Sequence, residues 1–215
     1  MDTSAIDQDV SEATAGRQLL EHPFYRRWEA GELRTGELAA YAAQYRHFEA
    51  ALPEFLASVA ASLPDGEARD AISANLDDEL GDPVPHLELF DRFAAALGGA
   101  TSEATPVTAA LVGAYRHAAA AGPVAALAGL VAYERQAPAV AASKAAGLRA
   151  HYGLDDQAIA FWDHHAVVDI AHARWTIEAL GSLGADLRDV ASSAAAVAEA
   201  WWAFLDERQA ARPAA

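Results

Sequence analysis

The sequence predicts an all-α fold. Apolar residues recur at three- and four-residue steps along most of the chain, as on one face of a helix, and no stretch alternates at period two as a half-buried strand would. The 215 residues are 53% hydrophobic and 21% charged, a composition that fits a compact helical protein and argues against disorder. A chain of this length suffices for one well-buried core, so we expect a single domain over residues 1–215, with residues 1–10 flexible.

Proline, glycine and capping residues divide the first half of the chain into helices. The residue before a proline is biased out of helical geometry, so the His22-Pro23 step separates two short helices. Thr35 suits an N-cap, and a long amphipathic helix that Pro53 can bend follows it. The predicted helices span residues 11–20, 24–30, 35–59, 67–80 and 86–98.

The second half of the chain is predicted to hold longer helices. Gly81, Pro83 and Pro85 interrupt the chain just before it, and the helix that restarts near His86 ends at two glycines. The later helices span residues 107–121, 124–152, 156–180 and 186–209, and Pro138 is expected to kink the second of them.

Composition excludes several classes of function. The absence of cysteine removes disulfides, thiolate metal ligands and cysteine nucleophiles, so any metal must be held by His, Asp and Glu. A formal net charge of −16 disfavours nucleic acid and anionic membranes as partners. The polar, acidic first ten residues are unlike a secretory signal, and the longest apolar run, residues 118–133, is too short for a membrane span. We therefore expect a cytoplasmic protein.

A metal-binding pattern lies in the helix predicted over residues 156–180. His165, Asp169 and His172 are separated by steps of four and three, which place all three side chains on one helical face. Imidazole and carboxylate together suit Fe, Mn or Zn in an open site, although a polar surface face would also explain the spacing. His164 points about 100° away from this face and is interpreted as an ordinary residue.

Facing helices must supply the remaining ligands, as they do in helical bundles that bind two metal ions. Glu134 lies in an apolar stretch, where an unpaired carboxylate costs several kcal/mol unless a cation or strong donors meet it. A salt bridge to Arg135 or Arg174 is the alternative. Glu79 and His86 flank the glycine-proline interruption, where the backbone can turn a second ligand toward the same place.

These six residues carry a resemblance to a known family. The order Glu79, His86, Glu134, His165, Asp169 and His172 resembles the ligand pattern of the haem-oxygenase-like diiron oxygenases, within the wider superfamily of TENA/THI-4/PqqC-like proteins. The chain is most similar to the CADD-like branch, whose members are regarded as p-aminobenzoate synthases of folate metabolism. The resemblance implies a haem-oxygenase-like bundle of about seven helices that binds two metal ions, Fe/Fe or Fe/Mn, and no haem, and that uses O2 and an external reductant.

The branch also implies that the protein consumes its own side chains. By position, Tyr25 would supply the aromatic ring and Lys144 the amino group, and Tyr133 matches a further tyrosine associated with that chemistry. Independent support comes from composition: of the fifteen basic residues Lys144 is the only lysine, and a buried lysine can act as a nucleophile whereas arginine stays protonated. Lys144 lies ten residues after Glu134, about 15 Å along a straight helix, so it would reach the cavity only from its rim.

Other functions and other roles stay open on the sequence alone. The protein could be a multi-turnover oxygenase of an external amine, amino acid or fatty acid, in which Tyr25 and Lys144 only line the pocket. It could also be a non-enzymatic, metal-binding interaction protein. A thiaminase-type activity requires a cysteine that is absent. Tyr41 and Tyr45 are interpreted as packing residues, and Trp201, Trp202 and Phe204 as residues of the core or of a homodimer interface.

Overall fold

A computed structural model describes residues 2–81, 84–99 and 101–211, and this part of the chain contains α-helices and no strand. The all-α prediction is therefore confirmed. The helices are α1 Thr3–Ala13, α2 Pro23–Glu29, α3 Thr35–Ser62, α4 Glu67–Leu80, α5 His86–Ala96, α6 Pro106–Ala121, α7 Pro123–Glu134, α8 Ala137–Gly147, α9 Asp156–Ser182 and α10 Leu187–Ala210. A 3-10 turn over Leu19–Glu21 and a π-helical turn over Leu148–Tyr152 complete the described elements.

The N-terminal segment differs from its prediction. Residues 1–10 were expected to be flexible and residues 11–20 helical, but α1 begins at Thr3 and ends at Ala13. Asp2 caps this helix, since its side chain accepts a hydrogen bond from the backbone amide of Ser4 at 2.9 Å. Ile6 and Val10, one turn apart, are fully buried. Burial of this apolar face therefore orders the segment as a helix, although most of its residues are polar.

The centre of the bundle is α7, which is apolar on every side and packs against α6, α9 and α10. Helix α3 is continuous through Pro53 and packs against α4, α5 and α6. Trp201 and Phe204 of α10 are buried in the core, where Trp201 stacks on Tyr133 with ring centroids 4.5 Å apart. They are thus core residues of this chain. In the described ranges, no helix is long and apolar enough to cross a membrane.

The predicted interruption between residues 80 and 86 is present. Helix α4 ends at Leu80, Gly81 adopts a positive φ of 66°, and α5 restarts at His86. Pro83 lies outside the described residues.

The predicted helix over residues 124–152 is wrong in one respect: it is two helices rather than one kinked helix. Helix α7 ends at Glu134 and α8 begins at Ala137, with Arg135 and Gln136 between them. Proline has no amide hydrogen and its ring clashes with the carbonyl four residues earlier, which for Pro138 is that of Glu134. The break therefore falls where Pro138 cannot extend α7, and Lys144 lies on the helix that follows it.

Candidate metal centre

The six residues predicted as metal ligands lie together in the interior. Four helices supply the six side chains. Glu79 lies in the last turn of α4, His86 is the first residue of α5 and Glu134 is the last residue of α7, while α9 supplies the other three. All six are buried, with exposed fractions of 1–8% (Glu79, His86, Glu134, His165, Asp169 and His172). Six ionisable groups buried around one point need a compensating charge, because buried charges are normally paired or bound to a metal.

Glu79, His86 and His165 form the first half of the centre. Each offers one ligand atom within 4.8 Å of the others, a spacing suited to a single metal ion. The Nδ1 atom of His86 is 3.0 Å from Oε2 of Glu79, yet it has no hydrogen-bond partner of acceptable geometry. Because these two polar atoms are close but form no hydrogen bond with each other, both are available to a third partner. This arrangement fits a metal ion.

The tautomer of His165 favours the same interpretation. Its Nδ1 donates to the backbone carbonyl of Phe161, one turn earlier in α9, at 2.9 Å. Nε2 is then the unprotonated nitrogen of the neutral ring, and it lies 3.8 Å from Oε1 of Glu79. A ring nitrogen fixed by a backbone carbonyl while the other faces the centre is the usual arrangement of a metal-bound histidine.

Asp169, His172 and Glu134 form the second half. Nδ1 of His172 is 3.3 Å from Oδ1 of Asp169, and its Nε2 is 3.0 Å from Oδ2 of Asp78 on α4. Asp78 was not singled out in the sequence. It holds the outer nitrogen of His172, so that the inner nitrogen faces the centre.

Glu134 has neutral hydrogen-bond donors and no arginine partner. Oε1 accepts from Asn75 at 2.8 Å and Oε2 accepts from Thr176 at 2.7 Å. The alternative of a salt bridge is not observed, because Arg135 pairs with Asp7 on α1 and Arg174 lies along α9 near Glu178. Each oxygen of Glu134 keeps a lone pair that can face a metal ion.

The pKa values of the buried groups indicate an excess of negative charge at the centre. Burial alone would lower the pKa of His165, but the charges of Asp169 and Glu79 outweigh it and raise that pKa to about 10. Burial, opposed by His172, raises the pKa of Glu134 to about 7. In the absence of metal ions, bound protons therefore compensate part of the negative charge at the centre.

A small cavity of about 30 Å³ lies at the centre. Five of the six predicted ligands line it, together with Tyr45 and Tyr133, whose hydroxyls are 2.5 Å apart. The cavity also exposes a residue that sequence reasoning missed, Glu49 of α3. Burial and then the charge of Glu79 raise the pKa of Glu49 to about 8. The signal was present in the sequence, since Glu49 interrupts the apolar face that runs from Leu38 to Val59.

Lys144 lies beside this cavity, not at its rim. It is only 2% exposed, and Nζ donates a hydrogen bond to the hydroxyl of Tyr41 at 2.7 Å. That hydroxyl is in turn 2.8 Å from the hydroxyl of Tyr25. The expected separation of about 15 Å from Glu134 assumed one straight helix. The break between α7 and α8 removes that assumption.

Aromatic rings surround the amine. Nζ lies 3.9 Å from the ring centroid of Trp162, 4.7 Å from that of Tyr25 and 4.9 Å from that of Tyr45. Trp162 and Tyr45 also line the cavity, so they separate Lys144 from the predicted ligands by one layer of side chains. Burial holds the pKa of Lys144 well below its usual value. A neutral amine has a free electron pair and is a nucleophile.

The chain is similar to known proteins in family, in sequence and in structure. Residues 39–206 match the family described as iron-containing redox enzymes of the haem-oxygenase type. The chain is 33% identical over 96% of its length to a 4-aminobenzoate synthase of Nitrosomonas europaea, of which it covers 92%. It is 32% identical over 88% of its length to a 4-aminobenzoate synthase of Chlamydia muridarum, of which it covers 84%.

Solved structures share the fold. A TenA homologue from Pseudomonas syringae superposes with a TM-score of 0.82 at 16% identity, covering 98% of this chain and 96% of that one. A CADD-like protein from Nostoc punctiforme superposes with a TM-score of 0.79 at 16% identity, covering 97% and 98%. At such identities the likeness is one of architecture.

Proposed function

The chain belongs to the family of iron-containing redox enzymes with the haem-oxygenase-like fold, and on that premise we propose that it makes 4-aminobenzoate from its own tyrosine and lysine side chains. The ring would come from Tyr25 and the nitrogen from Lys144. The supporting observation is the position of Lys144, a buried amine that contacts Tyr41 and lies over the ring of Tyr25.

The size of the cavity supports an internal substrate. Sites for drug-sized ligands usually enclose about 300–1,000 Å³. The cavity among the predicted ligands measures about 30 Å³, which has room for water or O2 and none for an external aromatic compound or a fatty acid. A substrate that is already part of the chain needs no such space.

The chemistry of the product also fits the two side chains. A tyrosine side chain is a benzene ring with an oxygen at one end and a one-carbon substituent opposite. The product 4-aminobenzoate is such a ring with nitrogen in place of the oxygen and a carboxylate opposite. The conversion forms a bond from Nζ of Lys144 to the ring carbon that carries the phenol oxygen, and that oxygen leaves as water. The Nζ–Cε bond and the Cα–Cβ bond of the tyrosine break, and Cβ is oxidised to the carboxylate, whose oxygens come from O2 or water. O2, with electrons from the external reductant, is the oxidant for the two cleavages and for the oxidation of Cβ.

Two metal ions held by Glu79, His86, Glu134, His165, Asp169 and His172, either Fe/Fe or Fe/Mn, would supply the activation of O2 as oxidant, with electrons from an external reductant. The chain provides the remaining functions. Burial lowers the pKa of Lys144, which favours the neutral amine, and excludes water from it. Tyr41 positions both reacting groups, since its hydroxyl contacts Nζ on one side and the hydroxyl of Tyr25 on the other.

Tyr133 is proposed to act between the centre and the reacting pair. Its ring lies at the cavity beside Glu134, and its hydroxyl contacts that of Tyr45. Tyr45 in turn packs against Tyr41 with ring centroids 5.4 Å apart. A continuous row of phenols, Tyr133, Tyr45, Tyr41 and Tyr25, would thus connect the centre with the reacting pair.

The experiment that tests this function is a single-turnover reaction followed by peptide mapping. The reduced protein is loaded with Fe(II), Mn(II) or both and exposed to O2, and 4-aminobenzoate and the masses of the peptides that contain Tyr25 and Lys144 are measured in the same sample. We expect product together with mass changes at those two positions. Unchanged peptides with O2 consumption would instead indicate a conventional oxygenase with an external substrate.

Matched variants make the assignment specific. Lys144→Arg keeps a long basic side chain but removes the transferable primary amine, and we expect no product. Tyr25→Phe and Tyr41→Phe remove one hydroxyl each from the same cluster. Product from Tyr25→Phe, with the mass change moved to Tyr41 or Tyr45, would reassign the source of the ring.

A further inference from the structure

Glu49 is a buried carboxylate that the six predicted ligands leave unexplained. It lies in the middle of α3, one turn after Tyr45, and is 4% exposed. Its Oε2 atom is fully buried and has no hydrogen-bond partner. Buried polar atoms are almost always hydrogen-bonded, so an orphaned carboxylate oxygen points to a partner that protein atoms do not provide.

The side chain of Glu49 faces the metal centre. It lines the same small cavity as Glu79, Asp169 and His165, which also dominate the electrostatic environment of its carboxylate. Lys144 is the buried cation that could otherwise neutralise it, but Nζ of Lys144 donates to Tyr41 instead. The unpartnered oxygen is therefore directed at the space between the predicted ligands.

Charge balance gives an independent reason. The six predicted ligands include three carboxylates, Glu79, Glu134 and Asp169, whereas two divalent ions carry four positive charges. Histidines that bind a metal are neutral, so they leave this difference unchanged. One uncompensated positive charge would stay in the interior, where it is costly. The carboxylate of Glu49 cancels it.

We infer that Glu49 is a seventh protein ligand of the dinuclear centre. This inference rests on the proposed function only in requiring that the centre bind two metal ions. It makes α3, the helix that carries Tyr41 and Tyr45, a direct support of the metal site. The ligand helix and the helix that positions the reacting amine are then the same element.

The test is a metal titration of the metal-free protein with Co(II) and with Mn(II), each alone, in wild type, Glu49→Gln and Glu54→Gln. Glutamine keeps the size of the side chain and removes its charge. Glu54 is the matched control, because it lies on the same helix and is exposed. The readouts are the affinity for each ion, the visible absorption of bound Co(II) and the electron paramagnetic resonance spectrum of bound Mn(II).

We expect Glu49→Gln to weaken binding of one of the two ions by about tenfold or more and to change the Co(II) absorption, while Glu54→Gln matches wild type. Unchanged affinity, or weaker binding with an unchanged Co(II) spectrum, would overturn the assignment of Glu49 as a direct ligand. Folding is checked by the thermal stability of the metal-free proteins, which removal of a buried unpaired charge should not lower. A wild type that binds no pair of ions would contradict the proposed function itself.

Discussion

At the scale of single residues, burial of Lys144 has a measurable cost. Burial disfavours the charged form of a lysine, and here it outweighs the charge of Glu49, which acts in the opposite direction. The structure supplies the amine with a phenol and several aromatic rings, and its folded-state pKa is well below 10.5. Burial of this amine therefore lowers stability at any pH at which the unfolded lysine is charged, including neutral pH.

This cost predicts a pH dependence that Lys144→Met should remove. Between the lowered folded pKa of Lys144 and its unfolded value, the unfolded state binds one more proton at this residue, so the contribution of Lys144 to the free energy of unfolding of the metal-free wild type rises with pH by about 1.4 kcal/mol per unit. Lys144→Met lacks this term. We expect the variant to be the more stable at pH 7 and its advantage to shrink toward pH 10, as measured by urea unfolding. Parallel curves for the two proteins would show that Lys144 is charged in the folded state.

Asp78 gives a second prediction at this scale. It contacts the outer nitrogen of His172, and such outer contacts typically contribute about 10–100-fold to metal affinity. Asp78→Asn should therefore weaken Mn(II) binding by about that factor. Asp77→Asn, at the exposed neighbouring position, should leave the affinity unchanged. Equal affinities for the two variants would exclude a role for Asp78.

The residues of the centre were predictable to different degrees. His165, Asp169 and His172 could be found because their spacing of four and three is a property of one helix. Glu49 and Asp78 could not be assigned in this way, although Glu49 interrupts the apolar face of α3, because neither lies three or four residues from another candidate ligand in its own helix. Their roles depend on how α3 and α4 meet α9, which no local pattern encodes.

At the scale of elements, the turn between α4 and α5 positions Glu79 and His86. Gly81 has a positive φ, and a Cβ atom there would clash with the backbone carbonyl of Val84. Glycine is thus required for both its conformation and its lack of a side chain.

Gly81→Ala should therefore weaken metal binding as well as destabilise the fold by at least about 1 kcal/mol. The control is Gly98→Ala: Gly98 has a similar φ of 68°, but a Cβ atom there would meet nothing within 4 Å. Both variants carry the conformational cost, and only Gly81→Ala disturbs the ligands. Metal titration of the two proteins separates these effects, and equal affinities would contradict the role given to the turn.

The break between α7 and α8 shows what element prediction could not supply. Pro138 indicated a kink at the right place, but the direction of the following helix depends on packing against α9 and α2. The estimate that Lys144 lies about 15 Å from Glu134 assumed one straight helix, where the structure has two. Lys144, the only lysine, is buried on the helix that follows Arg135 and Gln136.

At the scale of the whole molecule, the helical class and most helix bounds followed from the sequence because apolar periodicity reports burial directly. The N-terminal helix did not, since its polar surface hides two buried residues, Ile6 and Val10. The order of the ligands along the chain identified the family before the arrangement of helices in space was known.

The buried charges predict that metal binding stabilises the entire fold. Glu79, Glu134 and Asp169 repel one another in the metal-free protein, and only the folded chain brings them together. Mn(II) at a hundred times its dissociation constant should raise stability by about 2.7 kcal/mol, or about 5–10 °C in melting temperature. His165→Ala, which removes one ligand, should show a smaller shift in differential scanning calorimetry. An equal shift in both proteins would place the ions elsewhere.

The most direct measurement of the central claim follows the nitrogen. Because Lys144 is the only lysine, protein produced with 15N-labelled lysine carries the lysine label at that one position. After loading with Fe(II) and Mn(II) under reducing conditions and exposure to O2, the mass of the released 4-aminobenzoate is determined. We predict product one mass unit heavier than that from unlabelled protein, in an amount no greater than that of the protein. Unlabelled 4-aminobenzoate from the labelled protein would contradict the account.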